Sequence, residues 1–323
     1  MPRILFVKTS SLGDIVHNCP AVSDVARHVP GAAIDWVVEE AFAEIATLHA
    51  AVRRVIPIAL RRWRGALLSP ATWSEAAAFR DALRGERYDA VIDSQGLIKS
   101  ALVAALARGR RHGFDRASAR EPLAARFYDT VHSVPAEFHA VERNRRLAGA
   151  ALGYVPERSC DYALRVEGDV PIQAGAHAPS PYALLLTMTS RRDKLWPEER
   201  WRALVTWLRS QGVHCVLPWG TDEEHGRCAR IATAIPGAVV PRRMALADLA
   251  RLAHGARCVI GVDTGLTHLA AAREVPALGL YCGSNPNLTG LHGNGRMQNL
   301  GAAGRAPEVA DVQKAFAGLA GRR

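Results

Sequence analysis

The sequence predicts an α/β protein built from two doubly wound domains, and three observations carry that prediction. The chain has 323 residues, enough for about two domains at the usual ~100–200 residues each. Short, continuous apolar runs alternate with helical patterns, as expected of parallel strands covered on both faces. The alternation breaks once, over residues 167–181, where Gly168, Pro171, Gly175, Pro179 and Pro181 lie among Ala and Ser with no periodic pattern. That stretch reads as a linker between a first domain (1–166) and a second (182–306).

Taken in order, residues 4–8 read as a strand, 20–28 as a helix and 33–38 as the next strand. Strands at 54–58 and 90–93 follow, the second after a helix over 74–84. Beyond the linker, 183–187, 215–217, 258–262 and 277–281 are strands, and 198–210 and 267–273 are helices. Ligands are expected at the carboxyl ends of these strands and in a cleft where the two domains face each other. In the tail, Val309, Val312, Phe316 and Leu319 share one helical face. A helix over 307–323 is therefore expected, packed back on the first domain.

Composition excludes several classes. A hydrophobic fraction of 49% and a charged fraction of 22% are ordinary globular values, not those of disordered or collagen-like chains. No apolar run approaches the roughly 18 residues of a membrane-spanning helix. The opening Met1-Pro2-Arg3-Ile4-Leu5-Phe6-Val7-Lys8 has too short an apolar stretch for a signal peptide, so a cytoplasmic location is expected. The six cysteines are scattered without a CxxC pair and read as free buried thiols.

The net charge of +10 points to an anionic partner. The excess is spread over both halves, but it clusters locally at Arg61-Arg62-Trp63-Arg64 and again over 99–126. The second group holds Lys99, Arg108, Arg110, Arg111, Arg116, Arg120 and Arg126 against only Asp115 and Glu121. The basic segments lack the aromatic pattern of an RNA-recognition motif, and there is no zinc-finger spacing, so no nucleic-acid partner is expected. The P-loop, the three-glycine dinucleotide fingerprint, HExxH and GxSxG are all missing. No D-x-D pair is present to bridge a metal to a nucleotide diphosphate, which favours chemistry without a metal or cofactor.

Four segments carry polar chemistry at strand ends. In Lys8-Thr9-Ser10-Ser11-Leu12-Gly13-Asp14, a strand runs through a polar turn into a helix. Asp14 there either caps the helix or presents a carboxylate to the cleft. In Thr187-Met188-Thr189-Ser190-Arg191-Arg192-Asp193-Lys194, hydroxyls and Lys194 suit phosphate oxygens, or form a solvated basic loop. In Trp219-Gly220-Thr221-Asp222-Glu223-Glu224, one carboxylate suits a ribose, or the acids complement a helix dipole. In Gly261-Val262-Asp263-Thr264-Gly265-Leu266-Thr267-His268, a strand meets a helix through a tight turn whose free amides suit an anion.

Together these segments resemble the bacterial lipopolysaccharide heptosyltransferases, closest to type I. The resemblance covers essentially the whole chain: KTSSLGD at 8–14, DSQGLIKSAL at 93–102, SAREPLA at 118–124, HAVERNR at 139–145, DKLWPEERW at 193–201, LPWG at 217–220 and DTGLTHLAAA at 263–272. It implies the GT-B architecture, two Rossmann-like domains across a cleft, and a metal-independent, inverting transfer. The implied donor is ADP-L-glycero-β-D-manno-heptose. The implied acceptor is the Kdo of Kdo-lipid A, at the cytoplasmic face of the inner membrane. Type II, or another ADP-heptose transferase using a later core acceptor, is the alternative.

By the same resemblance, Asp14 is the catalytic base, with Lys194 assisting the leaving group. Thr189, Ser190 and Lys194 contact the donor's phosphates and heptose, Glu224 the ribose, and Met244 the adenine. Asp263, Thr264, Gly265 and His268 complete the donor site. The N-terminal strings are assigned to the acceptor, with Ser10, Arg61, Arg62, Trp63, Lys99 and Arg120 binding it. Trp63 among arginines also suits contact with a membrane surface. Two departures from the family pattern stand out: Ser190 where a second Thr is common, and the loop Tyr281-Cys282-Gly283-Ser284-Asn285-Pro286.

Overall fold

A computed structural model describes residues 1–166, 168, 170–173 and 177–320. The chain divides into two compact units, Met1–Arg165 and Val166–Arg323. In the first, β1 (Arg3–Val7), β2 (Ala33–Glu39), β3 (Val52–Ile58), β4 (Arg87–Asp93), β5 (Arg108–Phe114) and β6 (Thr130–His132) form one sheet. Its order is β3-β2-β1-β4-β5-β6, with every pairing parallel. The helices are α1 (Leu12–His28), α2 (Ala43–Thr47), α3 (Leu60–Arg64), α4 (Pro70–Arg84), α5 (Ile98–Leu106) and α6 (Ala140–Leu152).

The second unit holds β7 (Tyr182–Leu186), β8 (His214–Val216), β9 (Ala238–Val239), β10 (Cys258–Val262), β11 (Ala277–Tyr281) and β12 (Met297–Gly301). Their order is β12-β11-β10-β7-β8-β9, again all parallel. Its helices are α7 (Glu198–Ser210), α8 (Asp222–Ala232), α9 (Leu246–His254), α10 (Gly265–Ala272), α11 (Pro286–Thr289) and α12 (Val309–Ala320). Counted from its own first strand, the second sheet repeats the winding of the first. In each, the order reverses between two neighbouring central strands: β1 and β4, then β7 and β10. Loops leaving such a pair diverge and open a crevice at the strands' carboxyl ends. This is the α/β, doubly wound architecture the sequence predicts.

Burial on both faces is why the central strands read as unbroken apolar runs. On one face of the first sheet, Leu5, Val7 and Val91 pack against Phe79 and Leu83 of α4 and Val103 of α5. In the second unit, Leu185, Ile260 and Leu280 pack against Trp201 and Leu204 of α7. β5 was not legible: Arg108-Gly109-Arg110-Arg111 has no apolar run, and its arginines look outward to partners. Arg111 pairs with Asp129, and Arg110 Nε donates to Thr130 Oγ1 at 2.9 Å. Part of the basic cluster over 99–126 is thus spent on strand-edge structure.

Three further expectations change. α1 starts at Leu12 and carries Pro20 inside it, so Pro20 does not open the helix. Of the expected linker, Val170 and Ile172 are buried in the second unit's core, while residues 167, 169 and 174–176 lie outside the described residues. The carboxy-terminal helix was expected on the first domain, but α12 is part of the second unit. Val312 and Phe316 are buried in that unit's core, and Trp207 of α7 meets Phe316 edge to face at 5.7 Å. Trp196 Nε1 fixes the approach by donating to Pro307 O at 2.8 Å. Its apolar stripe has the predicted spacing; the surface that completes it is α7. Residues 321–323 of the expected helix lie outside the described residues.

α1 and α6 are clasped by a buried ion pair. Arg145 Nε donates to Asp24 Oδ2 at 2.7 Å and Nη2 to Oδ1 at 3.0 Å. Nη2 also reaches the carbonyls of Glu157 and Ser159, and the two side chains are 1% and 3% exposed. Removing one partner strands a buried charge, which costs more than the pair contributes. Arg145→Met should therefore lose about 3–5 kcal/mol of stability in urea unfolding of the first unit. Asp24→Leu added to it should recover a large part. A single variant as stable as the parent would mean that the pair does not hold the helices.

Candidate active site

In the first unit, the polar residues gather where β1 and β4 end. Asp93 closes β4 and is completely buried. It accepts from Gln95 N at 2.9 Å, Gly96 N at 3.3 Å, Ser100 Oγ at 2.8 Å and Tyr128 OH at 2.8 Å. Burial pushes its carboxyl pKa up against these neutral donors. Gly96 takes φ of +68°, a conformation open to glycine, and lets the chain turn here. The turn aims Gln95 at the loop after β1. Its Oε1 accepts from the amides of Thr9 (2.9 Å) and Ser10 (3.2 Å), and its Nε2 donates to Ser10 O at 2.6 Å.

The loop so held delivers Asp14. Its Oδ2 accepts from Ser11 N at 2.8 Å and Ser11 Oγ at 3.2 Å, closing the start of α1. Its Oδ1 lies 3.7 Å from Arg120 Nη1. One carboxylate oxygen caps the helix, as the first reading of Asp14 expects, while the other looks to a cation. Lys99 Nζ stands 3.4 Å from Ser10 Oγ. Ser10, Asp14, Lys99 and Arg120 are therefore brought together.

Arg61, Arg62 and Trp63 lie on α3. Arg61, Trp63 and Lys99 line one pocket of about 510 Å³. Arg62 is less free: it is held between Glu40 and Glu75 at 3.0 and 2.8 Å. Two residues escaped the sequence reading. Lys8 is 5% exposed, its Nζ donating to Ser94 O at 2.7 Å and Asn144 Oδ1 at 3.4 Å. Burial lowers its pKa to about 8, with the charge of Asp14 the main opposing influence. Arg143 donates to Ser118 O, lies 4.7 Å above the Phe114 ring and keeps a buried Nε without a partner among the described residues. Burial, and then the charge of Arg120, lower its pKa.

In the second unit the centre is Asp263, at the end of β10. Lys194 Nζ donates to its Oδ2 at 2.7 Å, and Ser284 Oγ to the same oxygen at 2.6 Å. His268 Nε2 stands 3.2 Å from Oδ1, and Thr189 Oγ1 donates to the Asp263 carbonyl at 2.9 Å. Burial alone would raise this carboxyl's pKa. The hydrogen bond and charge of His268, with Lys194 and Ser284, instead hold it well below the usual carboxylate range. The helix α10 starts directly after it with Thr264 at the N-cap, its side chain uncommitted to capping. The strand can pass so close because residue 261 is glycine: a Cβ there would collide with Thr267 Oγ1. The Gly265 and Leu266 amides, at the positive end of α10, have no acceptor among the described residues, a geometry suited to an anion.

Ser190 is exposed beside this cluster in sequence and takes no part in it. Glu224 is engaged locally: its Oε2 accepts from Gly220 N at 2.7 Å and Thr221 N at 3.2 Å, completing a capping box for α8. Met244 is 8% exposed and packs among Val216, Leu249 and Leu252. The residue missed here is Ser284. The departure of its loop from the family pattern was legible, its hydrogen bond to Asp263 was not. The loop lies close because residue 283 is glycine; a Cβ would sit 2.6 Å from Asp193 O. No three metal-ligating side chains converge among the described residues.

Each unit thus carries one polar cluster at the carboxyl end of its sheet: a cation-framed carboxylate in the first, and in the second a helix start whose geometry suits an anion. The family model for glycosyltransferase family 9 (heptosyltransferase) matches residues 76–316. The chain belongs to that family and is a glycosyltransferase. Its curated relatives include lipopolysaccharide heptosyltransferase 1 of Escherichia coli K12, 47% identical over 299 residues, 91% of this chain and 92% of that protein. The same-named protein of Pseudomonas aeruginosa is 46% identical, over 91% of this chain and 82% of its own length. Among solved structures, E. coli heptosyltransferase WaaC with ADP superposes with a TM-score of 0.89 at 42% identity, covering 98% of this chain and 99% of that one.

Lys8 gives a pH test of the first crevice. Its pKa is lower folded than unfolded, so between about pH 8 and 10.5 the unfolded chain binds more protons and stability rises with pH. Below that window the burial penalty is fully present. Lys8→Met, which lacks the charge, should therefore lose its stability advantage over the parent, or widen its deficit, by about 3 kcal/mol across the window. Parallel urea titrations at pH 8 and 10.5 measure this, and parallel curves would mean that the ammonium is not buried.

Proposed function

We propose that the chain is a lipopolysaccharide heptosyltransferase of type I. It moves L-glycero-D-manno-heptose from ADP-L-glycero-β-D-manno-heptose to the Kdo of Kdo-lipid A, with inversion and without a metal. The observation that carries this reading is the second-unit cluster. Lys194 is held by Asp263, the residue just before the uncapped start of α10, which supports giving the ammonium and the amides there to a departing diphosphate. Such preorganised donors stabilise a leaving group without a metal bridge. A solved relative bound ADP-2-deoxy-2-fluoro heptose; WaaC in that form is 42% identical with a TM-score of 0.84, which supports an ADP-sugar donor.

On this reading Thr189, Ser190, Lys194, Thr264, Gly265 and His268 serve the phosphates and heptose. Glu224 and Met244 serve the nucleoside; because Glu224 already caps α8, it would meet a ribose with its remaining oxygen. Asp263 acts chiefly by fixing Lys194 and His268. The acceptor belongs to the first unit. Asp14 removes the proton from the Kdo hydroxyl as that oxygen attacks the anomeric carbon, through an oxocarbenium-like transition state. Lys99 and Arg120 hold acceptor carboxylate or phosphate; Ser10, Arg61, Arg62 and Trp63 flank them. The acceptor is anchored in lipid, so the enzyme works at the cytoplasmic face of the inner membrane as a peripheral protein. No helix among the described residues is long and apolar enough to cross a membrane.

Mass analysis of the product from ADP-heptose and Kdo-lipid A tests the assignment. One added heptose on Kdo is expected; turnover only with an already heptosylated core would select type II or a later transferase instead. Asp14→Asn should lower kcat by about 10²–10⁴-fold, the range of general-base contributions, and leave donor affinity nearly intact. Half of the parent kcat retained would remove Asp14 from the chemistry.

The acceptor residues differ in availability. Arg62 is already neutralised by two glutamates, whereas among the described residues Lys99 and Arg120 have only Ser10 and the 3.7 Å approach to Asp14. Lys99→Ala and Arg120→Ala should each raise the acceptor KM about tenfold with little change in donor KM, the effect shrinking at high salt. Arg62→Ala should do less. Donor KM rising in all three would reverse the assignment of the units.

A further inference from the structure

The turn between α3 and α4, with Trp73 of α4 beside it, carries apolar side chains that neither the fold nor the proposed chemistry uses. From Arg61 to Ser74 the sequence is RRWRGALLSPATWS, with three arginines and no acid. Its apolar side chains face water: Leu68 is 99% exposed, Trp73 64% and Leu67 56%. They are the most exposed group of large hydrophobics that lies together in sequence. Exposed apolar groups that cluster mark an interaction site, whereas scattered ones do not.

The tip is ordered. Consecutive turns hold it, with Gly65 N donating to Arg62 O, Ala66 N to Trp63 O, Ser69 N to Ala66 O and Thr72 N to Ser69 O, all at 3.0–3.1 Å. Trp73 Nε1 donates to Leu67 O at 2.8 Å, bracing the two apolar residues against each other. Beneath them Trp63 meets Phe79 edge to face, its Nε1 bonded to Glu75. Arg61 and Arg64 are exposed beside the tip. Leu67 and Trp73 also line the pocket that holds Arg61, Trp63 and Lys99.

We propose that this tip is a membrane-docking surface, with Leu67, Leu68 and Trp73 entering the interface of an anionic bilayer while Arg61 and Arg64 meet its head groups. The occupant follows from charge and shape. A second copy on the same patch would set arginines against arginines. An acyl chain drawn alone into the open pocket would only exchange bilayer for a half-wet wall. A bilayer takes the leucines out of water and leaves arginines and the indole at the polar boundary, where such side chains are favoured. The proposal rests on the reading that the acceptor is a lipid. Docking there brings the pocket lined by Lys99 to head-group level.

The test is co-sedimentation with vesicles of phosphatidylcholine alone or with 30 mol% phosphatidylglycerol, at about 100 mM salt. The parent should bind the anionic vesicles. Leu67→Ser/Leu68→Ser should bind them at least about tenfold more weakly, since each leucine loses its whole apolar transfer. Arg64→Ala should weaken binding to anionic vesicles and leave the residual phosphatidylcholine binding as it is. Leu68→Ser alone, at the tip leucine that does not line the pocket holding Lys99, should bind anionic vesicles more weakly than the parent yet turn over a deacylated, water-soluble acceptor at the parent rate. Equal vesicle binding by parent and double variant overturns the proposal. So does concentration-dependent self-association of the parent, without lipid, that the double variant lacks. Vesicle binding is read without any turnover, so failure of the assigned transferase activity would be seen separately.

Discussion

In each unit, one carboxylate at the carboxyl end of a central strand must be satisfied inside the protein, and the site residues are arranged by how that is done. Asp93 ends β4 and Asp263 follows β10, both beside the point where the strand order reverses. A buried carboxylate without donors is expensive, so the surrounding loops are drawn in to supply them. Around Asp93 the donors are neutral: two amides, Ser100 and Tyr128. Its loop is thereby rigid, and Gln95 transmits that rigidity to the backbone of Thr9 and Ser10. Around Asp263 the partners include Lys194 and His268, so its charge is kept and an ammonium and an imidazole are fixed in return. One unit uses a buried acid to shape a loop; the other uses one to aim side chains.

That difference explains what the sequence could and could not reveal. Central strands such as β1, β10 and β11 are buried on both faces and write unbroken apolar runs, so they were legible nearly to the residue. β5 and β12 are not: Arg108-Gly109-Arg110-Arg111 and Met297-Gln298-Asn299 derive their pairing from neighbours, and local pattern carries no trace of it. The start of α1 read two ways, at the turn before Asp14 and at Pro20; the structure opens it at Leu12, where Ser11 and Asp14 set the opening. The tail helix advertised its apolar face but not the surface that receives it, which is a property of α7.

The same limit applies to the sites. Asp14, Lys194, Asp263 and His268 stand in distinctive strings, and the structure places the last three in direct contact. Gln95, Ser284 and Lys8 matter through partners far away in sequence. Gln95 is 85 residues from Ser10, and Ser284 is 21 from Asp263. A glutamine or serine in a loop says nothing until the turn that aims it is known. Conversely Glu224 and Met244 came from resemblance alone, and here one closes a helix and the other fills a core. A ligand must share them with those duties.

Net charge is a coarse guide to where an anionic substrate meets this chain. Many arginines are consumed by the fold: Arg53 and Arg54 both bind Asp35, Arg145 binds Asp24, and Arg227 and Arg230 share Glu198. Their fields close on nearby carboxylates and contribute little beyond a Debye length. Among the described residues Lys99 and Arg143 make no ion pair, Arg120 has the 3.7 Å approach to Asp14, and on α3 Arg61 and Arg64 pair with no acid. Burial is the main reason that Lys8 and Arg143 each have a lowered pKa, and the charge of Arg120 lowers both further. The proposed acceptor, with its carboxylates and phosphates, would bring opposite charge to these groups, and its binding would relieve repulsion among them as well as form new contacts. Affinity for it should therefore depend on the cluster collectively, with single substitutions partly offset by relief among the cations that remain.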